Sequence, residues 1–362
     1  MKNASTKRIE ESAITVLKAA LLRCPILESY IDSNDKTPSW DGTIFVYKSE
    51  KTKKDNLAGR VPVQIKGTSS VIVSDTASFS CSVADLKNYY NDGGCVFFLI
   101  SVDLNTDRSK IFYKTLLVVD LDKIIKDARE QKTTVIHLDV FPSEVNEISS
   151  IFMGFVDNVH KQMGFIGRDI PTFESLEENG AEITSLTFTA SGIGLTCNEI
   201  PKFLSTHDFY LYAKIKGLDV EIPIEKVTNA IVSKTICGEV RVKERSFFKR
   251  YYVVYENGKP IIRIGKGISV DISAEDNYIT VHTNRPDTLS EFIIESEFFL
   301  EMVEQNELTL NGVRLQLNGA SLPDFQERKE TLEYCKDVKK MLDYLGVTEE
   351  LVLNDLSEND EK

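Results

Sequence analysis

Asp41, Gln64 and Lys66 are the residues of this chain whose types and spacing could do chemistry. Gln64 and Lys66 are two apart in a run of alternating apolar and polar residues, 60–68, which reads as a strand. They therefore share one of its faces. Asp41 opens the preceding β-prone run, 40–47, so a carboxylate, an amide and an ammonium group come together on neighbouring strands. A divalent cation needs oxygen ligands, carboxylates above all. A metal-assisted phosphodiester hydrolase also gains from a cationic side chain that orients the attacking water and steadies developing negative charge. Asp41 supplies an acid, Lys66 the cation, Gln64 a neutral oxygen or an amide donor, and the carbonyl of Ile65 a further oxygen. A second acid, Glu10, lies on the helix that precedes both strands.

These residues need elements to position them. Residues 7–24 read as an amphipathic helix, with Ile9, Ala13, Val16, Leu17, Ala20 and Leu21 on one face, Ser5 and Thr6 as caps, and Pro25 as its stop. At about 100° per residue, Glu10 falls at the margin of the apolar face and Glu11 near the opposite side. Residues 28–39 read as polar loop with Pro38 near its end, and 48–59 as a Lys-rich loop. Its Lys48, Lys51, Lys53 and Lys54 are explained equally by phosphate contacts and by plain solvation. Then come a β-prone piece at 71–73, a helix over 82–90, and a nearly continuous apolar run at 95–102. Such a run marks a strand buried on both faces. A turn at 105–108, a strand over 110–120, a short helix over 121–129, a strand over 133–141 and a helix over 143–163 complete an α/β domain with a mixed sheet.

The character changes near residue 172. Short β-prone pieces follow at 183–189, 209–215, 220–224, 226–233, 238–243, 251–255, 260–264, 268–272 and 278–283. They predict a β-rich sandwich or barrel. A helix is expected over 287–305, then a hairpin over 308–317 turning at Asn311-Gly312, a last helix over 325–345, and an acidic tail. The expected division is 1–165, 166–320 and 321–362.

Composition narrows the function classes. The 362 residues carry a net charge of −13, which counts against nucleic-acid binding by the chain as a whole. The charge is uneven: residues 1–130 hold 19 Lys and Arg against 17 Asp and Glu, leaving 24 against 39 for the rest. A local patch in the first half could meet a polyanion. The acidic second half and its last helix fit a protein partner or self-association better. No apolar run nears the ~20 residues that cross a bilayer, and the polar, basic start is no secretory signal. The six cysteines and four histidines are scattered. That argues against zinc and disulfides and for a reducing cytoplasm. Gly192-Ile193-Gly194 lacks the strand–helix context of a dinucleotide loop. No Ser or Cys has a recognisable His partner. Residues 241–252 mix basic and aromatic side chains. That suits a nucleic-acid strand, and it also suits a hairpin with buried aromatics.

The order of an acid in the first helix, then Asp41, then Gln64-Ile65-Lys66 resembles the PD-(D/E)XK nuclease superfamily. The match is closest to its Mrr-like branch, where Gln stands for the second acid. Pro38-Ser39-Trp40-Asp41-Gly42 and Val61-Pro62-Val63-Gln64-Ile65-Lys66-Gly67 also resemble an uncharacterised nuclease-like family of bacterial anti-phage defence proteins. The resemblance covers about 7–164. It implies a restriction-endonuclease-like mixed sheet flanked by helices, with the β-rich domain and terminal helix outside it. It implies a magnesium- or manganese-dependent DNA endonuclease acting on double-stranded DNA, as an effector of anti-phage defence. The alternative is a non-catalytic sensor or binding subunit on the same fold. In these terms Asp41, Gln64 and Ile65 hold the metal, and Lys66 positions water and stabilises the transition state. Glu10, or in its place Glu11, is the helical acid. Gln64 removes one negative charge from the site, so a second metal is not expected.

Overall fold

The structure, a computed structural model, describes residues 6–31, 39–104, 106, 108–273, 278–317 and 324–353. Ser5, Pro38, parts of the 105–108 turn and the acidic tail beyond 353 lie outside the described residues. The chain forms two units, Met1–Ile200 with Asp208–Thr228 and Pro201–His207 with Asn229–Lys362. This differs from the division expected at 165/166, because three strands expected in the second domain belong to the first unit.

In chain order the elements up to residue 227 are α1 (Thr6–Leu21), β1 (Leu27–Ile31), β2 (Gly42–Tyr47), β3 (Leu57–Thr68), β4 (Thr76–Ser82), α2 (Val83–Asn91), β5 (Gly94–Asp103), β6 (Arg108–Leu117), α3 (Val118–Ala128), β7 (Thr133–Val140), α4 (Val145–Gln162), α5 (Phe173–Glu178), β8 (Ile183–Thr187), α6 (Ile200–Thr206), β9 (Phe209–Ile215) and β10 (Glu221–Val227). All but α6 lie wholly in the first unit. Its large sheet is mixed and runs β1-β2-β3-β5-β6-β7-β4. Strands β3 and β5 are parallel, and the other pairs are antiparallel.

The sheet has two differently covered faces. In β3, Val61, Val63 and Ile65 are buried in the core that also holds Ala13, Ile14 and Leu17 of α1 and Phe152, Phe155 and Val156 of α4. Gly59 and Gly67 mark close approaches on that face. A Cβ on Gly59 would lie 2.7 Å from Val156 Cγ1, and one on Gly67 3.0 Å from Ile9 Cγ2. Arg60, Pro62, Gln64 and Lys66 alternate to the other face. There α2 and α3 cover Cys95, Phe97 and Leu99 with Leu86, Tyr89 and Leu121. Strand β5 is central, and its residues from Gly94 to Val102 are all buried, as its continuous apolar run predicts.

Several local expectations are corrected. Residues 27–31, which run into the expected loop at 28–39, form edge strand β1; an edge strand needs little alternation, and only Leu27 and Ile31 of it are buried. The β-prone Val71 and Val73 are exposed, and the other edge strand, β4, starts at Thr76. Its inward residues are Ala77, Phe79 and Cys81 between serines, too small and polar a set to signal a strand. Strand β2 starts at Gly42, two residues later than expected. Strand β6 stops at Leu117, where the Leu117 N–H donates to Asp120 Oδ2 at 3.1 Å and α3 begins.

Strands β10, β9 and β8 form a separate antiparallel sheet. It is tied to α3 and α4 by buried polar groups. Tyr210 Oη donates to Asp120, and Lys226 Nζ lies 3.1 Å from Asp208 and 3.6 Å from Asp120. Burial works against the Lys226 ammonium, yet Asp120 and Asp208 outweigh it and raise its pKa above the ordinary value. Tyr212 donates to Asn158 Oδ1 at 2.6 Å and accepts from Gln162 Nε2 at 3.1 Å. A hydrogen bond to a charged, buried acceptor contributes about 1.5–3 kcal/mol. Tyr210→Phe should therefore cost about 1.5 kcal/mol, read as a lowered urea midpoint of the fluorescence of Trp40, the one tryptophan in the chain. An unchanged midpoint would show that this contact does not hold the small sheet.

The second unit continues with β11 (Val232–Val242), β12 (Arg245–Glu256), β13 (Lys259–Ile264), β14 (Ile268–Ser273), β15 (Tyr278–Thr283), α7 (Leu289–Gln305), β16 (Glu307–Leu310), β17 (Val313–Gln316) and α8 (Phe325–Tyr344). Its strands form one antiparallel sheet, β15-β14-β13-β12-β11-β16-β17. The expected β-rich domain with a terminal helix is present; in place of a closed sandwich or barrel it is this single sheet, whose end strands do not pair with each other among the described residues. Helix α7 covers one face instead, burying Phe298, Phe299 and Met302 against Val240, Val242, Ile264 and Val270. The strand expected at 226–233 is broken, with β10 ending at Val227 and β11 starting at Val232. The Asn311-Gly312 turn joins β16 to β17 as expected.

Candidate functional site

Asp41 lies just ahead of β2, held by its own backbone: its N–H donates to the Val63 carbonyl at 3.0 Å. Gly42 allows this, since a Cβ there would lie 2.4 Å from the Tyr30 carbonyl oxygen. The Asp41 carboxylate reaches β3. Its Oδ2 accepts from the Ile65 N–H at 2.7 Å and from Gln64 Nε2. Gln64 is 4% exposed, so its amide needs partners. On its other side Tyr89 Oη donates to Gln64 Oε1 at 3.4 Å. Burial first, then the fields of Cys95, Asp85, Cys81 and Asp41, push the Tyr89 phenol well above its ordinary pKa and keep it a donor. That donor fixes which end of the amide meets Asp41.

Lys66 lies two residues on, on the same face of β3, and is exposed. Its charge reaches Cys81, whose thiol is pushed up to about 11 by burial and by Asp85, with Lys66 acting in the opposite sense. Ser39 braces the approach to Asp41. At φ 71° it occupies a conformation that residues with side chains rarely adopt, and its Oγ donates to Asp85 Oδ1 at 2.7 Å while accepting from Asn88 Nδ2 at 2.8 Å. Trp40 stands edge-on to Tyr89 at 6.1 Å, and its Nε1 is buried without a hydrogen-bond partner among the described residues. Sequence reasoning missed Tyr89, Trp40 and the Ser39–Asp85–Asn88 brace. The one available signal was their closeness in sequence to Asp41 and their place on the helix behind Gln64.

Glu10 makes no hydrogen bond or ion pair with this group, although its neighbour Ile9 lies against Gly67, the residue after Lys66. Glu10 is exposed, and among the described residues it has no hydrogen-bond or ion-pair partner. Helix α1 packs on the Val63–Ile65–Gly67 face, opposite Gln64 and Lys66. Glu11 lines a shallow cavity with Arg8, Ser12, Thr15, Val102 and Asp103, on the β5 side of the helix, and pairs with Lys7 at 3.8 Å.

Beside Asp41 the β1–β2–β3 part of the sheet has an open groove of about 640 Å³, lined by Tyr30, Thr43, Phe45, Tyr47, Lys54 and Leu57. Register puts Thr43 opposite Pro62 and Phe45 opposite Arg60, so the groove lies on the Gln64–Lys66 face. Lys54 and Arg60 are exposed there.

A magnesium-type cation fits this oxygen set in one form. Asp41 is the charged member; among the described residues no three His, Cys, Asp or Glu come together. Gln64 now shows Asp41 a donor, and to act as a ligand it must turn its Oε1 toward Asp41 and its Nε2 toward Tyr89. The Ile65 N–H faces Asp41, and in a strand the carbonyl of the same residue faces the same edge. One carboxylate, one amide oxygen and one main-chain oxygen are all hard ligands, and magnesium completes such a set with water.

The thiols around the site give a check on its burial. All six cysteines are free, with Cys197 and Cys237 exposed and Cys24, Cys81 and Cys95 buried. A thiol-specific disulfide reagent at pH 8 should modify Cys197 and Cys237 fast, and Cys81 and Cys95 only on unfolding. Fast modification of Cys81 would mean that α2 does not seal the face behind Gln64.

No protein-family model matches the chain, and no curated protein or solved structure matches it either. No helix among the described residues is long and apolar enough to cross a membrane.

Proposed function

We propose that the first unit is a metal-dependent nuclease that hydrolyses phosphodiester bonds in DNA. The observation that carries this reading is the convergence of Asp41, Gln64 and the Ile65 backbone across β2 and β3, with exposed Lys66 on the Gln64 face. Asp41, Gln64 and the Ile65 carbonyl would hold magnesium or manganese. When bound, such an ion lowers the pKa of water and offsets phosphate charge. Lys66 donates to the attacking water or to a phosphate oxygen and stabilises the charge that builds there. Lys54 and Arg60, beside the open groove, take flanking backbone phosphates, which position a substrate without reading its sequence. The resemblance to anti-phage defence proteins makes an effector of bacterial defence the role we infer. The test is digestion of plasmid and linear DNA with magnesium, the native chain against Lys66→Ala.

One observation favours a second reading, a non-catalytic sensor or binding subunit. The Asp41 carboxylate is already satisfied by an amide and a backbone N–H, so the pair is stable with no cation present. Under that reading Lys66→Ala keeps full protection against phage in a plating assay. Loss of protection in Lys66→Ala alone would sink it.

A further inference from the structure

The second unit separates its charges in a way its total conceals. Residues 232–273, covering β11 to β14, carry nine Lys and Arg against four Asp and Glu; residues 274–362 carry eight against twenty-one. The acids of α7 engage part of this excess: Arg245 pairs with Glu297 and Glu301, and Lys266 with Glu291. Arg250 and Arg263 are different. Both are exposed, and among the described residues neither has an ion-pair or side-chain hydrogen-bond partner.

Register decides where they point. Thr235 lies opposite Tyr252, Tyr252 opposite Arg263, Arg263 opposite Ser269, and Ser269 opposite His282. Directly paired residues share a face, so these five form one row across the sheet. Arg250, two residues before Tyr252 on β12, lies on the same face in the next row, opposite Cys237. This is the face away from α7. Tyr251, one residue off, belongs to the other side and packs toward the α7 core. At one end the face is closed, where Val254 is 3% exposed and the neighbouring turn is bound by α6 through Gly258 N–H to Ser205 Oγ at 3.2 Å. Around Arg250, Tyr252 and Arg263 it is open. Farther along, Asp271 lies 3.4 Å from His282, and its Oδ1 is buried without a hydrogen-bond partner among the described residues.

We propose that this open face of the second unit binds single-stranded nucleic acid. Arg250 and Arg263 neutralise consecutive phosphates, and the partly exposed Tyr252 ring beside them offers a stacking platform for a base. An open sheet face with an aromatic ring beside unpaired cations matches a strand whose bases are splayed out, whereas a duplex keeps its bases stacked inside. The site is independent of the proposed nuclease site, and it reverses the expectation that the acidic half avoids nucleic acid.

The test is fluorescence anisotropy of a labelled 20-nucleotide oligothymidylate with the full-length chain, in a chelator so that no cleavage intervenes. The native chain should bind, with log K falling linearly against log salt. Arg250→Gln with Arg263→Gln should bind at least tenfold more weakly, its salt slope shallower by about 1.4, at about 0.7 per cation. Tyr252→Leu should weaken binding about tenfold with the slope unchanged. Circular dichroism melts confirm that both variants fold. Magnesium-dependent cleavage of duplex DNA by the double arginine variant should equal that of the native chain, so that failure here is distinct from failure of the nuclease reading. No binding by the native chain, or equal binding by the double arginine variant, overturns the proposal. Equally tight binding of a duplex through the same arginines overturns its single-stranded form.

Discussion

Lys66→Ala should lower magnesium-dependent DNA cleavage by about 100- to 1000-fold, the usual loss when one group that stabilises transition-state charge is removed. The side chain is exposed and carries no packing, so the melting temperature should stay within about 1 °C of the native value, as for surface substitutions generally. Gln64→Glu gives the complementary result. It sets a second carboxylate against Asp41, where the amide now donates. Without a cation two carboxylates in contact repel, one of the two pKa values rises, and the first unit loses stability at neutral pH. The sign follows from linkage: a raised carboxyl pKa in the folded state favours folding at low pH and is lost as pH rises through it. With magnesium the same pair becomes the stronger ligand set. The variant should therefore show a larger magnesium-induced rise in the Trp40 unfolding midpoint than the native chain. This readout does not depend on cleavage. If Lys66→Ala cuts DNA at the native rate, the site lies elsewhere; if magnesium shifts neither protein, Asp41 and Gln64 do not hold the ion.

Phe98→Ala should destabilise the first unit by about 3–5 kcal/mol, the range for deleting a fully buried phenylalanine ring. Phe98 is 0% exposed at the centre of β5 and meets Phe141 edge-on at 5.5 Å. Nothing beside it can collapse freely, because Ile65 and Tyr113 flank it in register on β3 and β6. The same strand pairs with β3 from Val63 to Thr68 and so sets the height of Gln64 and Lys66. Cleavage should fall with stability at temperatures near the new transition and recover on cooling. Urea unfolding followed by Trp40 fluorescence measures the first effect. A midpoint within error of the native value would mean that the ring is not the centre of this core.

Much of the fold was legible because the relevant signals are local. The apolar run at 95–102 could only be a strand covered on both faces, and β5 is that strand. Gln64 and Lys66 share a face because a strand alternates, whatever the rest of the chain does. The helix faces of α1 and α7 and the Asn311-Gly312 turn follow from spacing and backbone preference alone. The edge strands β1 and β4 were not legible. An edge strand is covered on fewer sides, so polar and small residues suffice and no alternation marks it.

Tertiary structure alone decided the partners. That the Gln64 amide turns its donor to Asp41 depends on Tyr89, which arrives from a helix twenty-five residues on. That α1 covers the Val63–Ile65 face of β3 is also a tertiary outcome, because the helix pattern shows an apolar stripe without saying what it covers. The small sheet β8–β10 joined the first unit through Tyr210, Tyr212 and Lys226, polar groups that read as surface until Asp120 and Asn158 are placed beside them. Composition made the second half acidic, but strand register gathered Arg250, Tyr252 and Arg263 onto one open face. Composition sums charge over a chain, whereas binding depends on charge at a surface, and only the pairing of strands converts one into the other.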